Sequence, residues 1–246
     1  MKAPEGSFPT TDWGLLGSLK AQDSEARLAA LDILIRRYWK PVYLFLRRSG
    51  SNDEQAKDLT QSFFLDWLER DAFQWADRDK GRFRTFLLTC LKRFAANVHR
   101  AEHAAKRRPG AGLASLDQLM SESTVPYEPA DHQTPELLFD RAWAVEVLDR
   151  SLIRLNEQFR NKGQDAHAEI LRARLVDPIL QGAPAVPMEE LADKYGMVKK
   201  QAFNVLETAK RAYRQMIRDE VSLYATSGAE ASAEMDALFR ILGEKL

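Results

Sequence analysis

The chain has little of what disulfide-stabilised and membrane-spanning proteins need. Among its 246 residues there is one cysteine, Cys90, which excludes an intramolecular disulfide and is consistent with a reducing compartment. No apolar run approaches the roughly 18–20 residues of a membrane-spanning helix, and the N-terminal residues do not resemble a secretory signal. Lysines plus arginines number 36 and so do aspartates plus glutamates, so the net charge predicts no partner. We expect a cytoplasmic protein without membrane contact.

The sequence also lacks the motifs of common catalytic sites. It has no glycine-rich phosphate loop, no nucleophile elbow and no His-Glu-x-x-His motif. His99 and His103 have a spacing that suits zinc, but no third ligand follows, and Arg100 and Lys106 would repel a cation. We therefore predict no catalytic residue, no metal, no cofactor and no enzymatic activity.

The balanced charge hides an uneven distribution. Between residues 81 and 108 eight cations stand against one acid, Glu102, whereas between residues 115 and 157 nine acids stand against three arginines. Such asymmetry indicates a polyanion-binding surface on one part of the chain.

The hydrophobic residues recur with a helical period, and no segment shows a convincing strand alternation. The pattern predicts an all-α fold of two helical domains, joined by a flexible linker rich in Gly, Pro, Ser and acidic residues. Thr134 is expected to cap the first helix after the linker, with Pro135 at its first position. The predicted boundaries are 8–108 for the first domain, 109–135 for the linker, 136–224 for the second domain and 225–246 for a C-terminal extension with a short helix.

Three amphipathic helices with aromatic stripes make up the predicted first domain. The spacing of the apolar residues in the first helix predicts one buried face, and Pro41 predicts a kink or a break within it. Asn52 or Asp53 is expected to cap the second helix. The residues of that first face are Leu28, Leu31, Ile35, Tyr38, Val42 and Phe45.

The segment from Glu190 to Arg214 is the most specific local motif. Ala192 is small enough for two helices to cross closely, and Gly196 allows a tight turn four residues later, so we predict a helix-turn-helix whose second helix enters a major groove. An ordinary helical hairpin is the alternative. The best candidates for contacts to base edges are Lys199, Lys200, Gln201 and Asn204. Lys210, Arg211 and Arg214 are better placed for phosphates.

The third helix of the first domain has cations interleaved with aromatic residues. Stacking combined with phosphate neutralisation is how single strands are held, although a merely solvated cationic face is the alternative. Its predicted phosphate contacts are Arg82, Arg84, Lys92, Arg93 and Arg100. The segment Asp58–Glu69 mixes acids with large apolar residues, and Asp66 and Trp67 could anchor a partner protein.

Taken together, these motifs resemble the bacterial RNA polymerase sigma factors of the extracytoplasmic-function (ECF) type. The resemblance runs from about Phe8 to Tyr224, and the joint order of the motifs is more specific than any one of them. The matching segments are Phe8–Trp13, Leu34–Tyr43, Asp58–Gln61 with Phe63–Phe64, Gly81–Phe86 and Glu190–Gly196.

The resemblance implies a function without chemistry. The first domain would correspond to sigma region two, which binds the clamp helices of the largest polymerase subunit and captures the melted non-template strand. The second would correspond to region four, which binds the upstream promoter element and touches the flap of the second-largest subunit, through Lys210, Arg211 and Arg214 among others. The residues implied in polymerase binding are Asp58, Gln61, Phe64, Asp66 and Trp67.

The chain departs from the family pattern at several positions. Ser62 stands where a glutamate or glycine is usual, and Val198 replaces the serine cap of the recognition helix, which predicts a frayed start at Lys199. Phe203, Glu207 and Thr208 stand where basic or small polar residues are common. These departures predict weaker or different contacts of that helix with duplex DNA.

Two other classes of function fit parts of the pattern. One is a stand-alone helix-turn-helix transcriptional regulator, and the other is a helical adaptor that binds protein only. For the sigma-type function the expected partners are core RNA polymerase and promoter DNA. An anti-sigma factor and the chain's own C-terminal extension are further candidates, because opposed charge blocks could shield the cationic surfaces until polymerase binds.

Overall fold

The computed structural model describes residues 24–70, 72–75, 82–104, 133–222 and 228–243. These residues are mainly helical and contain no strand, which confirms the predicted all-α class for this part of the chain. The chain divides into two compact units, residues 1–143 and 144–246. Most of the predicted linker and residues 8–23 of the predicted first domain lie outside the described residues, so the predicted domain boundaries stay a prediction.

Among the described residues, the first unit contains three long helices, a short turn and the start of a fourth helix. Its elements are α1 (Ser24–Arg48), α2 (Asp53–Glu69), a 3₁₀ turn (Ala72–Trp75), α3 (Phe83–Ala104) and the first residues of α4 (Pro135–Arg160). Asn52 caps α2 as predicted: its side chain accepts a hydrogen bond from the Gln55 amide at 2.9 Å, and the Gln55 side chain accepts one from the Asn52 amide at 3.1 Å. This reciprocal capping box satisfies two amides that would otherwise have no helical partner.

Helix α1 follows the prediction in its second half, where Tyr38, Val42 and Phe45 are buried, and departs from it in its first half. Leu28 is exposed, while the buried face follows a spacing of about four residues through Ala30, Leu34, Tyr38 and Val42. The helix also continues through the buried Pro41 without a break. A proline removes one backbone hydrogen bond, and burial of the flanking apolar residues offsets that loss.

The aromatic rings of three helices meet at Phe83 in the core of the first unit. The Phe83 ring lies 5.5 Å from the ring of Tyr38 on α1 and 6.2 Å from that of Trp67 on α2, both edge to face. A third edge-to-face pair joins Phe63 on α2 to Phe94 on α3 at 5.5 Å. Such pairs add to the energy of apolar burial and fix the helices relative to one another.

The second unit is built around one long helix. Its elements are the rest of α4, α5 (Asp165–Leu171), a π-helical segment (Arg172–Val176), α6 (Asp177–Gln181), α7 (Met188–Lys194), α8 (Lys199–Ser222) and α9 (Gly228–Leu242). Helix α8 packs against α5, α7 and α9. The predicted start of α4 is confirmed, because the Leu137 amide donates to the Thr134 hydroxyl at 3.3 Å and Pro135 is the first helical residue.

Polar contacts join α4 to α8 inside the second unit. The buried Tyr213 hydroxyl donates a hydrogen bond to the backbone carbonyl of Leu148 at 3.0 Å, and burial raises the pKa of Tyr213 well above its usual value. Glu220, also buried, accepts from Arg150 at 2.8 Å and lies 3.7 Å from Arg154. A buried carboxylate needs such partners, since burial without them is costly.

Candidate functional site

Helix α2 presents a polar stripe on the side opposite its buried face. Asp58 is exposed and Gln61 is partly exposed on this stripe, while Asp66 lies at its flank and forms an ion pair with Arg70 at 2.6 Å. Phe64 and Trp67 are each only 3% exposed. The structure therefore places these two predicted partner contacts in the core of the first unit, since their positions on the helix face inward.

The apolar residue that α2 does expose is Leu65, which sequence reasoning overlooked. Its side chain is 39% exposed and lies between Asp58, Gln61 and Glu69 on the same stripe. An exposed leucine surrounded by polar groups is a suitable anchor for a partner protein. The helical period could have identified it, because Leu65 is seven residues from Asp58 and about half a turn from Trp67.

Arg84 is not available for a phosphate. It is 7% exposed, its Nη1 donates to Asp140 at 2.7 Å, and its guanidinium lies 4.1 Å from the ring centre of Trp143. Burial raises the pKa of Asp140, while the charge of Arg84 opposes that rise. The predicted phosphate contact at Arg84 is thus replaced by a structural ion pair and a cation–π contact between α3 and α4, both within the first unit.

The other predicted cations of α3 lie nearer to solvent. Lys92 is exposed and forms an ion pair with Glu136 at 2.7 Å, and Arg100 donates to the side chain of Asn97 at 2.5 Å. Arg93 is exposed and Arg82 is partly exposed. Of the five predicted phosphate contacts on α3, these four remain within reach of a nucleic acid.

An open cavity of about 510 Å³ lies in the first unit, against one stripe of α3. The stripe supplies residues at helical spacing, α2 supplies the opposite wall, and the 3₁₀ turn closes one end. The lining residues are Phe63, Asp66, Trp67, Arg70, Ala72, Trp75, Arg82, Thr85, Phe86, Thr89, Cys90, Arg93, Phe94 and Asn97. Cavities of this size accommodate one small organic molecule or one base.

The cavity combines aromatic walls with positive charge. Phe86 and Phe94 are only partly buried because they line it, and Arg82 and Arg93 supply cations beside them. Trp75 is 66% exposed at the same cavity, and no periodic pattern indicated it because it lies in a single short turn. Burial raises the pKa of the Cys90 thiol, so this lining group is a neutral side chain near pH 7.

The predicted turn at Gly196 is confirmed between α7 and α8. Gly196 has φ +62°, a left-handed conformation that favours glycine. The Gly196 amide donates to the Asp193 carbonyl at 3.2 Å and the Met197 amide to the Ala192 carbonyl at 2.9 Å. These two bonds form a Schellman motif that ends α7. Ala192 and Ala202 are buried where the two helices meet, as the small side chain at Ala192 predicts.

The first turns of α8 expose the predicted base contacts. Lys199, Lys200, Gln201 and Asn204 are all exposed, opposite the buried side of the helix. Lys199 forms an ion pair with Glu189, and this contact holds the pKa of the Glu189 carboxyl below its usual value.

The expected fraying at Lys199 is not observed, and Gln201 explains why. Its side-chain oxygen accepts a hydrogen bond from the Val198 amide at 3.0 Å, so it supplies half of a capping box although Val198 has no capping group. Gln201 therefore stabilises the start of α8 in addition to its predicted role at a base edge. A glutamine three residues after a helix boundary is a sequence signal that could have indicated this.

The later cations of α8 extend the exposed face. Lys210 lies 3.4 Å from Glu207, and the Arg211 Nε donates to the Glu207 backbone carbonyl at 3.3 Å. Arg211 and Arg214 are exposed, whereas Lys210 is partly buried. Their distance along the helix from Lys199 is consistent with contacts to a phosphate backbone or a protein, as predicted.

The C-terminal helix α9 does not cover this cationic face. It packs against α8 within the second unit, and its buried side is mainly apolar, with Ala231, Met235 and Leu238. The exposed residues of α8 stay exposed with α9 in place. Shielding of the cations by this helix, expected from the sequence, is therefore not seen; most of the acidic linker lies outside the described residues.

No protein-family model matches the chain, and no curated protein matches it. Among the described residues, no helix is long and apolar enough to cross a membrane, and no group of three or more metal-binding side chains is suited to hold an ion. Any proposal for the function of this chain therefore depends on its own residues and geometry.

Proposed function

We propose that this chain is a sigma-type transcription initiation factor, similar to the ECF sigma factors of bacteria. In this function it binds core RNA polymerase, contacts promoter DNA with both of its units and favours strand separation. It performs no chemical step of its own. The observation that carries the proposal is the aromatic cavity of the first unit, because a regulator that binds only duplex DNA has no use for it.

The cavity suits an unstacked base. Phe86, Phe94 and Trp75 offer aromatic surfaces, and Arg82 and Arg93 offer positive charge for the adjoining phosphates. Stacking of one base on an aromatic side chain contributes about 1–3 kcal/mol. Extruding a base from the duplex costs a few kcal/mol. The stacking energy and the cost of extrusion are similar in size. A protein that stacks one or two bases and neutralises their phosphates can therefore shift the equilibrium toward separated strands.

The exposed stripe of α2 suits the polymerase. Asp58, Gln61 and Glu69 surround the exposed Leu65 on one face of a helix that is capped at its start and held in the core by Phe63 and Trp67. A rigid helix that presents one apolar anchor within a polar rim has the composition of a protein interface. The resemblance to sigma factors assigns this helix to the clamp of the largest polymerase subunit.

Helices α7 and α8 suit the upstream promoter element. Lys200 and Asn204 are exposed early in α8, and asparagine and lysine both form hydrogen bonds with base edges in the major groove. Arg211 and Arg214 lie farther along the same helix, where phosphates of the flanking backbone would be in reach. In the proposed function, α8 therefore binds duplex DNA, and the cavity of the first unit binds the separated strand.

The proposal is tested with purified chain and bacterial core RNA polymerase. We expect a stable complex and run-off transcripts that begin at a small set of sites in a genomic DNA library. Core polymerase alone is the control and should give only non-specific initiation. A chain that forms no complex at low salt, or a complex that starts no specific transcript, contradicts the proposal.

A stand-alone regulator is the second candidate, and one observation favours it. Lys200, Asn204 and Arg211 of α8 are exposed in the isolated chain, so these side chains are accessible to DNA without polymerase. Tight and sequence-specific binding of duplex DNA by the free chain would support this candidate. A sigma-type factor is expected to bind promoters tightly only together with core polymerase.

A further inference from the structure

Two large apolar side chains stand exposed among the cations at the start of α8. Val198, just before the helix, is 65% exposed, and Phe203, in its second turn, is 43% exposed. Their neighbours Lys199, Lys200 and Asn204 are exposed as well. Single exposed apolar residues are common on protein surfaces, but Phe203 is a large apolar group whose burial against a ligand would be favourable.

The core of the second unit does not explain it. The inner side of α8 is formed by residues at alternating spacings of three and four, and none of them is Phe203 or Val198. These buried residues are Ala202, Leu206, Ala209, Tyr213, Ile217, Glu220 and Val221. Phe203 follows Ala202 directly, so its side chain is turned by about 100° from the buried direction.

The surroundings of Phe203 indicate which apolar group it meets. Lys199 precedes it by one helical turn, Lys200 and Asn204 flank it on the outward side, and the exposed Glu207, in an ion pair with Lys210, follows it by one turn. An apolar surface of a partner protein would not favour two adjacent lysines, whereas DNA offers phosphates for the lysines and base edges for the asparagine. The one apolar group that the four bases present in the major groove is the 5-methyl group of thymine, and phenylalanine is among the side chains that contact it.

We propose that Phe203 contacts the 5-methyl group of a thymine in the upstream promoter element and makes the chain specific for a thymine at that position. This inference rests on the proposed function, since it presumes that α8 enters the major groove upstream of the start site. It adds a determinant of sequence preference that acts through shape and apolar contact. Lys200 and Asn204 supply the hydrogen bonds to neighbouring positions.

The test has two parts, both carried out with the complex of chain and core polymerase. First, the complex selects duplexes from a library randomised in the upstream region, once with the unaltered chain and once with Phe203→Ala. The unaltered chain is expected to retain thymine at one position where Phe203→Ala accepts any base. Ile153→Ala, which removes an equally exposed apolar side chain from α4 in the same unit, is the control and should leave the selection unchanged.

Second, that thymine is replaced by deoxyuridine, which removes only the methyl group. The unaltered chain should lose about fourfold in affinity, the ratio that corresponds to about 0.8 kcal/mol for one buried methyl-sized group. Phe203→Ala should bind both duplexes equally, and Phe203→Leu should keep part of the difference. A fully retained preference in Phe203→Ala, or no response of the unaltered chain to deoxyuridine, overturns the inference.

The outcomes separate this inference from the proposed function. If the chain forms no complex with core polymerase or selects no sequence, the proposed function itself fails. If it selects a sequence without a thymine that depends on Phe203, only the inference fails. If Phe203→Ala weakens core-polymerase binding and leaves base selection intact, the apolar pair is a protein contact, and the inference is again overturned.

Discussion

Helices α3 and α8 each carry several cations along an amphipathic helix, yet the surroundings of these charges differ. On α3, Arg84 is buried against Asp140 and Trp143, and Arg82 and Arg93 line a cavity with aromatic walls. On α8, Lys199 and Lys200 lie on an open convex surface. The same composition thus produces a lined recess in one unit and an exposed face in the other.

Under the proposed function, the two surfaces contact nucleic acid in different ways. A recess with aromatic walls can hold a base only after the base has left its stack, whereas an exposed helix face fits the groove of an intact duplex. The comparison also shows that a cation in an amphipathic helix is not by itself a phosphate contact. Arg84 lies in an ion pair within the first unit, whereas Arg93 on the same helix is exposed to solvent.

The largest expected effect concerns the buried cation. Arg84→Leu should lower the free energy of unfolding by about 3 kcal/mol, because it leaves Asp140 partly buried without its counter-charge. Urea denaturation followed by tryptophan fluorescence measures the change. Arg93→Leu is the matched control on the same helix and should change stability by less than about 0.5 kcal/mol. If Arg84→Leu and Arg93→Leu change the free energy of unfolding equally, the buried and the exposed cation do not differ in their contribution to stability.

The Arg84→Leu effect should also depend on pH. Burial raises the pKa of Asp140 above its unfolded value, and Arg84 limits the rise. A carboxyl group with a raised folded pKa contributes stability that is present below the unfolded pKa and is lost as the pH rises through the folded pKa. Loss of Arg84 raises the folded pKa further, so the destabilisation should be larger at pH 7 than near pH 4. A destabilisation that is independent of pH would contradict this role of Asp140.

A smaller effect is expected on the polymerase contact of the first unit. Leu65→Asp should weaken binding of core polymerase by about 2 kcal/mol, or roughly thirtyfold, if Leu65 is a central anchor. Fluorescence anisotropy with labelled chain measures the affinity. Leu28→Asp places the same charge at another exposed leucine, on α1, and should have little effect. Unchanged affinity in Leu65→Asp would remove α2 from the polymerase interface.

Substitutions in the cavity should weaken binding of the separated strand and leave binding of duplex DNA unchanged. Trp75→Ala should lower the affinity of the polymerase complex for a promoter with an unpaired segment by about 1–2 kcal/mol, the amount expected for one stacked base. Arg93→Ala should reduce the salt dependence of that binding, because it removes one phosphate contact. Arg36→Ala, which removes an exposed cation on α1 outside the cavity lining, is the control. If Trp75→Ala weakens binding of fully paired DNA equally, the cavity and the exposed face of α8 do not bind different forms of DNA.

The smallest effect concerns the start of α8. Gln201→Ala should destabilise the second unit by about 0.5–1 kcal/mol, because the Val198 amide loses its partner. Gln201→Glu keeps an oxygen at the same position and should retain most of the stability. Thermal unfolding and hydrogen exchange of the first α8 amides measure the difference. Equal exchange rates in the two variants would show that this cap contributes nothing.

The features predicted well from the sequence are those that depend on near neighbours. The caps at Asn52 and Thr134 and the turn at Gly196 each involve groups within a few residues, so residue type and spacing suffice.

The features predicted poorly depend on distant partners. Arg84 meets Asp140, 56 residues away, and no local pattern indicates that contact. On α2 the large apolar residues Phe64 and Trp67 suggested a partner surface. Which side of a helix faces the core depends on how the helices pack, and both residues lie on the buried side. Trp75 had no periodic context, so its place at the cavity followed only from the structure.

The central claim is that the chain contacts promoter DNA together with core polymerase, through a recess and an exposed helix. The most direct measurement uses one promoter DNA with an unpaired segment, chosen by selection with the polymerase complex. It compares the affinity of the free chain and of the complex for this DNA at the same salt concentration. The account predicts binding by the complex at least about a hundredfold tighter than by the free chain, or about 2.7 kcal/mol. Equal affinities, or binding by the free chain alone, would contradict it.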